Sequence, residues 1–365
     1  MLVGATPGRA ATSYPLPVKT TSGTNHDTPD PGVLFYKNAF YAFNTGGGLH
    51  ESSSSTAAEP WSTPANQLKG ALPNWANARK GIWAPDMIKT TSGTFVVYFS
   101  AALTGTAGNP PGSDAKPANG ARCIGTAHSK SQNGPFTADA KPLVCFSQYG
   151  PADPMTSFPG DRTRGEGVID ASPVFVTVGG QRRLYLVYKT QANPRLGQHA
   201  TIRMARLNGG NGTAVLGVSH QILASATGSY SDTIEAPSLI QHSNWFILFV
   251  AHGNFDSCGY STQWFKSRHI WIWSNNDGTT LLDSSTTHGL CGPGSADVTG
   301  SRVAGQDRIF FHGWVTEKNK LISTTPLAPK VAPEEGANAA RVMYAAVLTF
   351  GSDGFTPIID AYQGQ

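Results

Sequence analysis

No stretch of this 365-residue chain approaches the roughly 20 consecutive apolar residues that a helix needs to cross a bilayer, so no helical membrane span is expected. Charge is scarce. Asp, Glu, Lys and Arg make up 14% of the residues, against roughly a quarter in ordinary globular domains. The formal net charge of +4 comes with no Lys/Arg block, so the basic stripe that nucleic-acid binding requires is missing. Cysteine is sparse as well. Cys123, Cys145, Cys258 and Cys291 show no CxxC or CxxCH spacing and no cluster of His around them, which argues against zinc and haem. Two disulfides in a secreted protein are the plainer expectation, Cys123 with Cys145 and Cys258 with Cys291 among the three possible pairings. The N-terminus lacks a hydrophobic signal core. Residues 1–22 therefore read as a tail, a signal remnant or a cloning scar ahead of a single domain over 23–365.

Helical periodicity is also hard to find. Apolar residues come in short bursts separated by Gly, Asn, Ser and Pro, which reads as all-β. One pattern recurs along the chain: a small or acidic lead-in with Pro, an apolar burst, a polar turn, and a second aromatic burst. It is carried by "DPGVLFYKNAFYAF" from Asp30, "APDMIKTTSGTFVVYFS" from Ala84 and "DASPVFVTVGGQRRLYLVYK" from Asp170. "EAPSLIQHSNWFILFVAHG" from Glu235 and a weaker "ADVTGSRVAGQDRIFFHGW" from Ala296 complete it. Five hairpins spaced this widely leave room for a four-stranded sheet each, which predicts a five-bladed β-propeller. A two-sheet sandwich is the competing architecture. The Gly/Pro/Ala-rich insert from Leu103 to Arg122 is expected to be a surface loop.

The first strand of a propeller blade lines the axis, so lead-in residues from different blades converge at one mouth. That convergence gathers Asp30, Asp170 and Glu235 from distant parts of the chain. Carboxyls crowded in a partly desolvated cavity raise one another's proton affinity. Glycosidic hydrolysis by inversion uses such a set: one protonated carboxyl for the leaving oxygen, one carboxylate to activate water on the opposite face. Asp27 competes with Asp30 for the base, and Asp30 is preferred as sharing the register of Asp170 and Glu235. Asp86 and Asp297 also stand at lead-ins, and Asp86 is read as a structural hydrogen-bonding group.

The segments "HDTPDPGVLFYKNAFYAF", "GIWAPDMIK", "VIDASPVFV" and "IEAPSLIQHSNWFILF", followed by "FFHGW", resemble in order and spacing the landmarks of glycoside hydrolase family 43. The resemblance implies an inverting propeller enzyme that releases L-arabinofuranose or D-xylose from plant polysaccharides. It makes Asp30 the general base, Glu235 the general acid, and Asp170 the residue that adjusts the acid and orients the sugar. It further implies an aromatic sugar wall at Trp83 and an axial His312 that touches sugar or holds a calcium ion, directly or through water; no cofactor is needed for the chemistry. Phe255, in the loop after the fourth hairpin, is a further expected sugar contact. Within the family the expected order is an exo α-L-arabinofuranosidase on arabinan or arabinoxylan, then an endo-1,5-α-L-arabinanase, then a β-xylosidase. The protein is expected to be a monomer with no nucleic-acid or membrane partner. A non-catalytic sugar-binding propeller is the alternative of another class. Retaining fructan-cleaving propellers are set aside because their Asn-Asp-Pro-Asn, Arg-Asp-Pro and Glu-Cys signatures are missing.

Overall fold

In the computed structural model, which describes residues 15–18, 27–58, 60–104, 122–145, 167–191, 199–303, 306–316 and 339–363, each two-burst segment folds as an antiparallel hairpin. Two further strands extend each hairpin outward. Blade one comprises β1 (Gly32–Tyr36), β2 (Ala39–Asn44), β3 (His50–Ser54) and β4 (Ala65–Asn66). Blade two comprises β5 (Ile82–Lys89), β6 (Phe95–Ala102), β7 (Arg122–Ser129) and β8 (Thr137–Ala138). Blade three comprises β9 (Val168–Val178), β10 (Gln181–Thr190), β11 (Thr201–Leu207) and β12 (His220–Ala224). Blade four comprises β13 (Ile234–His242), β14 (Trp245–His252), β15 (Ser261–Ser267) and β16 (Thr279–Leu282). Blade five comprises β17 (Cys291–Val303), β18 (Gln306–Thr316), β19 (Ala339–Phe350) and β20 (Pro357–Tyr362).

Strands pair in sequence order within all five sheets, so the chain is a five-bladed propeller and the sandwich alternative falls. The first turn shows why the hairpins form locally. Lys37 and Asn38 take φ values of 49° and 61° between the paired Tyr36 and Ala39, the twist that a two-residue hairpin turn requires. Aromatics then fill the wedges between blades. Phe40 of β2 meets Phe310 of β18 at 5.4 Å between ring centroids, with Trp61 edge-on to the same ring. Burying each such phenylalanine stabilises the ring by about 2–3 kcal/mol.

Each blade is built from one continuous stretch of chain, and the N-terminal segment stitches the seam between the first and the last. Thr28 donates its backbone N–H to Arg341 O, the Met343 N–H donates to Thr28 Oγ1, and the Arg341 N–H donates to Asp27 Oδ1 at 3.0 Å. Asp27 is therefore a seam clasp, not a competitor for the base. Val18 is buried and donates to Met343 O, so the packed part of the domain begins before residue 23. Both expected disulfides are present, Cys123–Cys145 and Cys258–Cys291. Most of the insert, residues 105–121, lies outside the described residues.

The axis is organised by a left-handed residue that recurs in every blade, with a bulge in the ladder beside four of them. Asp30, Ala84, Asp170, Ala236 and Ser295 all have positive φ, between 40° and 57°, at the same point of the inner strand. The ladder slips beside four of these positions, between Trp83 and Asp86, Val187 and Lys189, Glu235 and Ser238, and Gly294 and Asp297. A left-handed non-glycine residue costs about 1–2 kcal/mol, and such strain collects at functional sites. Here the bulge breaks the pleat and turns successive side chains toward the axis. It corrects the expected register: Asp30 and Asp170 share one position, whereas Glu235 stands one residue earlier, level with Trp83 and Gly294. Two residues beyond the bulge come Gly32, Asp86, Ser172, Ser238 and Asp297, which form a deeper tier. Gly32 is required there, because a Cβ would come within 2.3 Å of Pro85 O.

Candidate active site

At the mouth of the axis lies a cavity of about 290 Å³ whose walls include Asp30, Asp170 and Glu235. Three of the large exposed apolar side chains, Trp83, Tyr230 and Phe255, line the same cavity. Elsewhere on the surface such residues need no explanation. Grouped around three acids, they provide aromatic faces of the kind that pack on the apolar side of a sugar ring.

Asp30 is held by three neighbours. Thr45 donates to its Oδ2 at 2.7 Å, and Arg341 reaches its Oδ1 at 3.4 Å. The Asp30 N–H donates to His312 Nδ1 at 3.1 Å, while the Ala84 N–H donates to Thr45 Oγ1, joining blade two to the same cluster. Burial by itself pushes the Asp30 carboxyl up, but Arg341, with smaller help from His312 and Thr45, outweighs it and holds the group well below the usual carboxylate range. Asp30 is thus an ionised carboxylate, the state that a general base needs.

Asp170 has the opposite environment. Its backbone N–H donates to Ser100 Oγ at 3.2 Å and its Oδ2 accepts from the Ala236 N–H at 3.0 Å, tying blades two, three and four together. Burial first and the charge of Glu235 second push its carboxyl up to about 7, against the pull of Lys189. A proton is therefore retained in the site near neutral pH.

Glu235 accepts from Lys189 Nζ at 2.6 Å on Oε2 and from the Tyr260 hydroxyl at 2.8 Å on Oε1. Tyr260 sits deep, and Gly294 makes room for it: a Cβ at that position would lie 2.2 Å from the tyrosine ring. Burial, then the charge of Glu235, pushes the Tyr260 hydroxyl well above its usual range, so it remains a donor.

Trp83 and Phe255 both line the cavity as expected, and each rests on an arginine. Arg122 Cζ lies 3.3 Å from the Trp83 ring centroid, with its guanidinium donating to Lys80 O and Gly81 O. Arg341 Cζ lies 4.8 Å from the Phe255 ring, and Phe255 O accepts from Trp314 Nε1. Next to this loop, Cys258–Cys291 anchors it to the start of β17.

His312 departs from expectation. It is 0% exposed and stands behind Asp30, its ring stacked on Tyr260 at 5.6 Å between centroids. A side chain with no exposed surface makes no contact with a sugar; it props the base and Tyr260 from below. Its Nε2 has no hydrogen-bond partner among the described residues. Calcium takes six to eight oxygen ligands, and the described residues contain no group of three or more His, Cys, Asp or Glu side chains placed to hold a metal. No step of the chemistry is routed through a metal ion.

Lys189, Arg341, Thr45, Tyr230 and Arg122 were missed by the reading of the sequence. Two of them carry a signal in retrospect. Lys189 in "LYLVYKT" and Arg341 in "AARVMYAAVLTF" are the single cations near the ends of otherwise apolar runs, and both are buried. A buried cation is tolerated when an acid partners it.

Fold and site together define a propeller with an axial carboxylate centre of the kind that cleaves sugars. The profile for Glycosyl hydrolases family 43 matches residues 23–354, and the chain belongs to that family. Among curated relatives, a probable arabinan endo-1,5-alpha-L-arabinosidase C from Aspergillus flavus is 24% identical over 64% of this chain and 61% of its own length. An extracellular endo-alpha-(1->5)-L-arabinanase from Thermotoga petrophila is 23% identical over 66% of this chain and 49% of its own length. The chain thus spans about half to three fifths of the length of these two relatives. Among solved structures, a thermostable family-43 glycoside hydrolase superposes with a TM-score of 0.67 at 18% identity, covering 97% of both chains. The Cellvibrio cellulosa alpha-L-arabinanase complexed with arabinohexaose superposes with a TM-score of 0.61 at 16% identity, covering 92% of this chain and 96% of that one.

Proposed function

We propose that this protein is an inverting endo-1,5-α-L-arabinanase. The observation that carries the hydrolytic reading is the grouping of Asp30, Asp170 and Glu235 around one cavity walled by exposed aromatics. Asp30, kept ionised by Arg341, takes a proton from the attacking water. Glu235 gives a proton to the glycosidic oxygen as the C–O bond breaks, and Asp170 holds the proton balance of the pair. Trp83, Phe255 and Tyr230 are the stacking surfaces for successive sugars.

Arabinan as substrate, and attack within the chain in place of the exo action first expected, follow the activities for which the curated relatives are named. Two disulfides and an extracellular relative support export. The test is product analysis on linear arabinan. An endo enzyme gives a ladder of oligosaccharides and a fall in viscosity that runs ahead of new reducing ends. Free arabinose as the sole early product overturns the endo reading and restores the exo one. Arabinoxylan serves as the comparison substrate, with slower turnover expected.

A further inference from the structure

The position of Lys189 is at odds with a simple account of the acid. It lies on β10, is 4% exposed, and places its ammonium 2.6 Å from Glu235 Oε2, inside the cavity and beside Asp170. The ammonium is bonded to the carboxyl that must carry a proton at the moment of bond cleavage. Asp170 is the neighbour that can supply it: its Oδ2 is bonded to the N–H of Ala236, the residue after Glu235.

We propose that Lys189 is a positioning residue that decides which of two adjacent carboxyls holds the proton they share, keeping it on Asp170 while the site is empty. The inference rests on the arabinanase reading above and adds to it. In the reaction the proton passes from Asp170 to Glu235 and on to the glycosidic oxygen as the C–O bond breaks. Water adds to the anomeric carbon and gives its own proton to Asp30. The site resets when Asp30 releases that proton to solvent and the Asp170/Glu235 pair takes one up. No electrons are exchanged. The charged and titratable groups around the pair are Asp30, Arg341 and His312 from the seam, Arg122 from β7, and Tyr260 from the loop before β15. Lys189 is the cation in direct contact with Glu235 among the described residues. The burial of Asp170 and its elevation to about 7 agree with a retained proton.

The test is the pH profile of kcat/KM on linear arabino-oligosaccharides for wild type, Lys189→Met, Lys189→Arg and Glu235→Gln, with Tm measured for each. Without the ammonium the pair binds its proton more tightly, so the alkaline limb of Lys189→Met moves up by about 1–3 pH units. Lys189→Arg keeps the charge and leaves the limb near that of wild type. A Lys189→Met limb that stays in place, or moves down, overturns the proposal even if kcat falls. Should Lys189→Met fail to fold, a carboxyl carbon-13 titration of the wild-type protein decides instead. A resting proton assigned to Asp170 supports the proposal; one assigned to Glu235 overturns it. Full activity in Glu235→Gln sinks the acid assignment itself, an outcome separate from an unmoved limb beside an inactive Glu235→Gln.

Discussion

The same left-handed residue, repeated around the axis, delivers two tiers of acids that lead different lives. At the mouth, Asp30 and Glu235 face cations: Arg341 lies 3.4 Å from one and Lys189 2.6 Å from the other. On the floor, two residues past the bulge, Asp86 and Asp297 have no cation partner among the described residues, and the charge of Asp297 acts on Asp86 instead. Asp297 accepts from the Val33 N–H at 2.7 Å and from Ser238 Oγ at 2.8 Å, clipping blades one and four to blade five. Asp86 accepts from the Met87 N–H. Burial raises both floor acids, Asp297 to about 6, and the charge of Asp297 raises Asp86 further. Register therefore brings a side chain to the axis, and its partners decide what it does there. Cation-held acids at the cavity are equipped for proton transfer, whereas hydrogen-bonded acids of raised proton affinity beneath it hold inner strands together.

Breaking the mouth should abolish activity without unfolding the ring. Asp30→Asn and Glu235→Gln are each expected to lower kcat by about 10³-fold or more, with Tm within a few degrees of wild type. Asp297→Asn should leave kcat within about threefold. A floor variant as inactive as Glu235→Gln erases the distinction between the tiers.

The next largest effect concerns the base. Removing the guanidinium in Arg341→Met leaves burial to dominate at Asp30, so the acid limb of kcat/KM should rise by about 1–3 pH units. An unmoved limb would mean that Arg341 serves only the Phe255 ring.

The floor should declare itself in stability. An elevated Asp297 holds its proton in the folded state after the unfolded chain has released it. Its contribution is therefore complete below the unfolded value of 3.8 and is lost as pH rises through about 6. Thermal unfolding between pH 4 and 7 should show a loss about 2 kcal/mol larger in wild type than in Asp297→Asn. Asp30 acts in the opposite sense, since its depressed value adds stability that disappears as pH falls. Equal slopes in the two proteins would argue against a buried, protonated floor.

The smallest effect belongs to the rim. Trp83→Ala should raise KM about tenfold, as loss of one stacking surface implies, with Tm little changed. Loss of kcat alone would place Trp83 in the chemistry instead.

The blades were legible in the sequence because each hairpin is a local event: an apolar burst, a short turn such as Lys37-Asn38, and a second burst. The grouping of Asp30, Asp170 and Glu235 at one cavity was legible because the lead-ins repeat. Their one-residue offset was not, since a bulge is a backbone conformation that the letters "DPG", "DAS" and "EAP" do not spell out. Asp27 and Asp30 look alike in "HDTPDP", and only the β19 seam separates them. Arg341 and Lys189 escaped notice because their partners lie 311 and 46 residues away, contacts made by the closing of the ring and by the packing of blade three on blade four. His312 was placed at the axis correctly in sequence terms, but its depth depends on Asp30 and Tyr260 covering it.

The inverting mechanism proposed above sets a water-activating base and a proton-donating acid on opposite sides of one sugar. Its most direct test is a proton NMR time course of the first-formed anomer on linear α-1,5-arabino-oligosaccharide. The account predicts initial β-configured product, followed by slow mutarotation; initial α-configured product would contradict it.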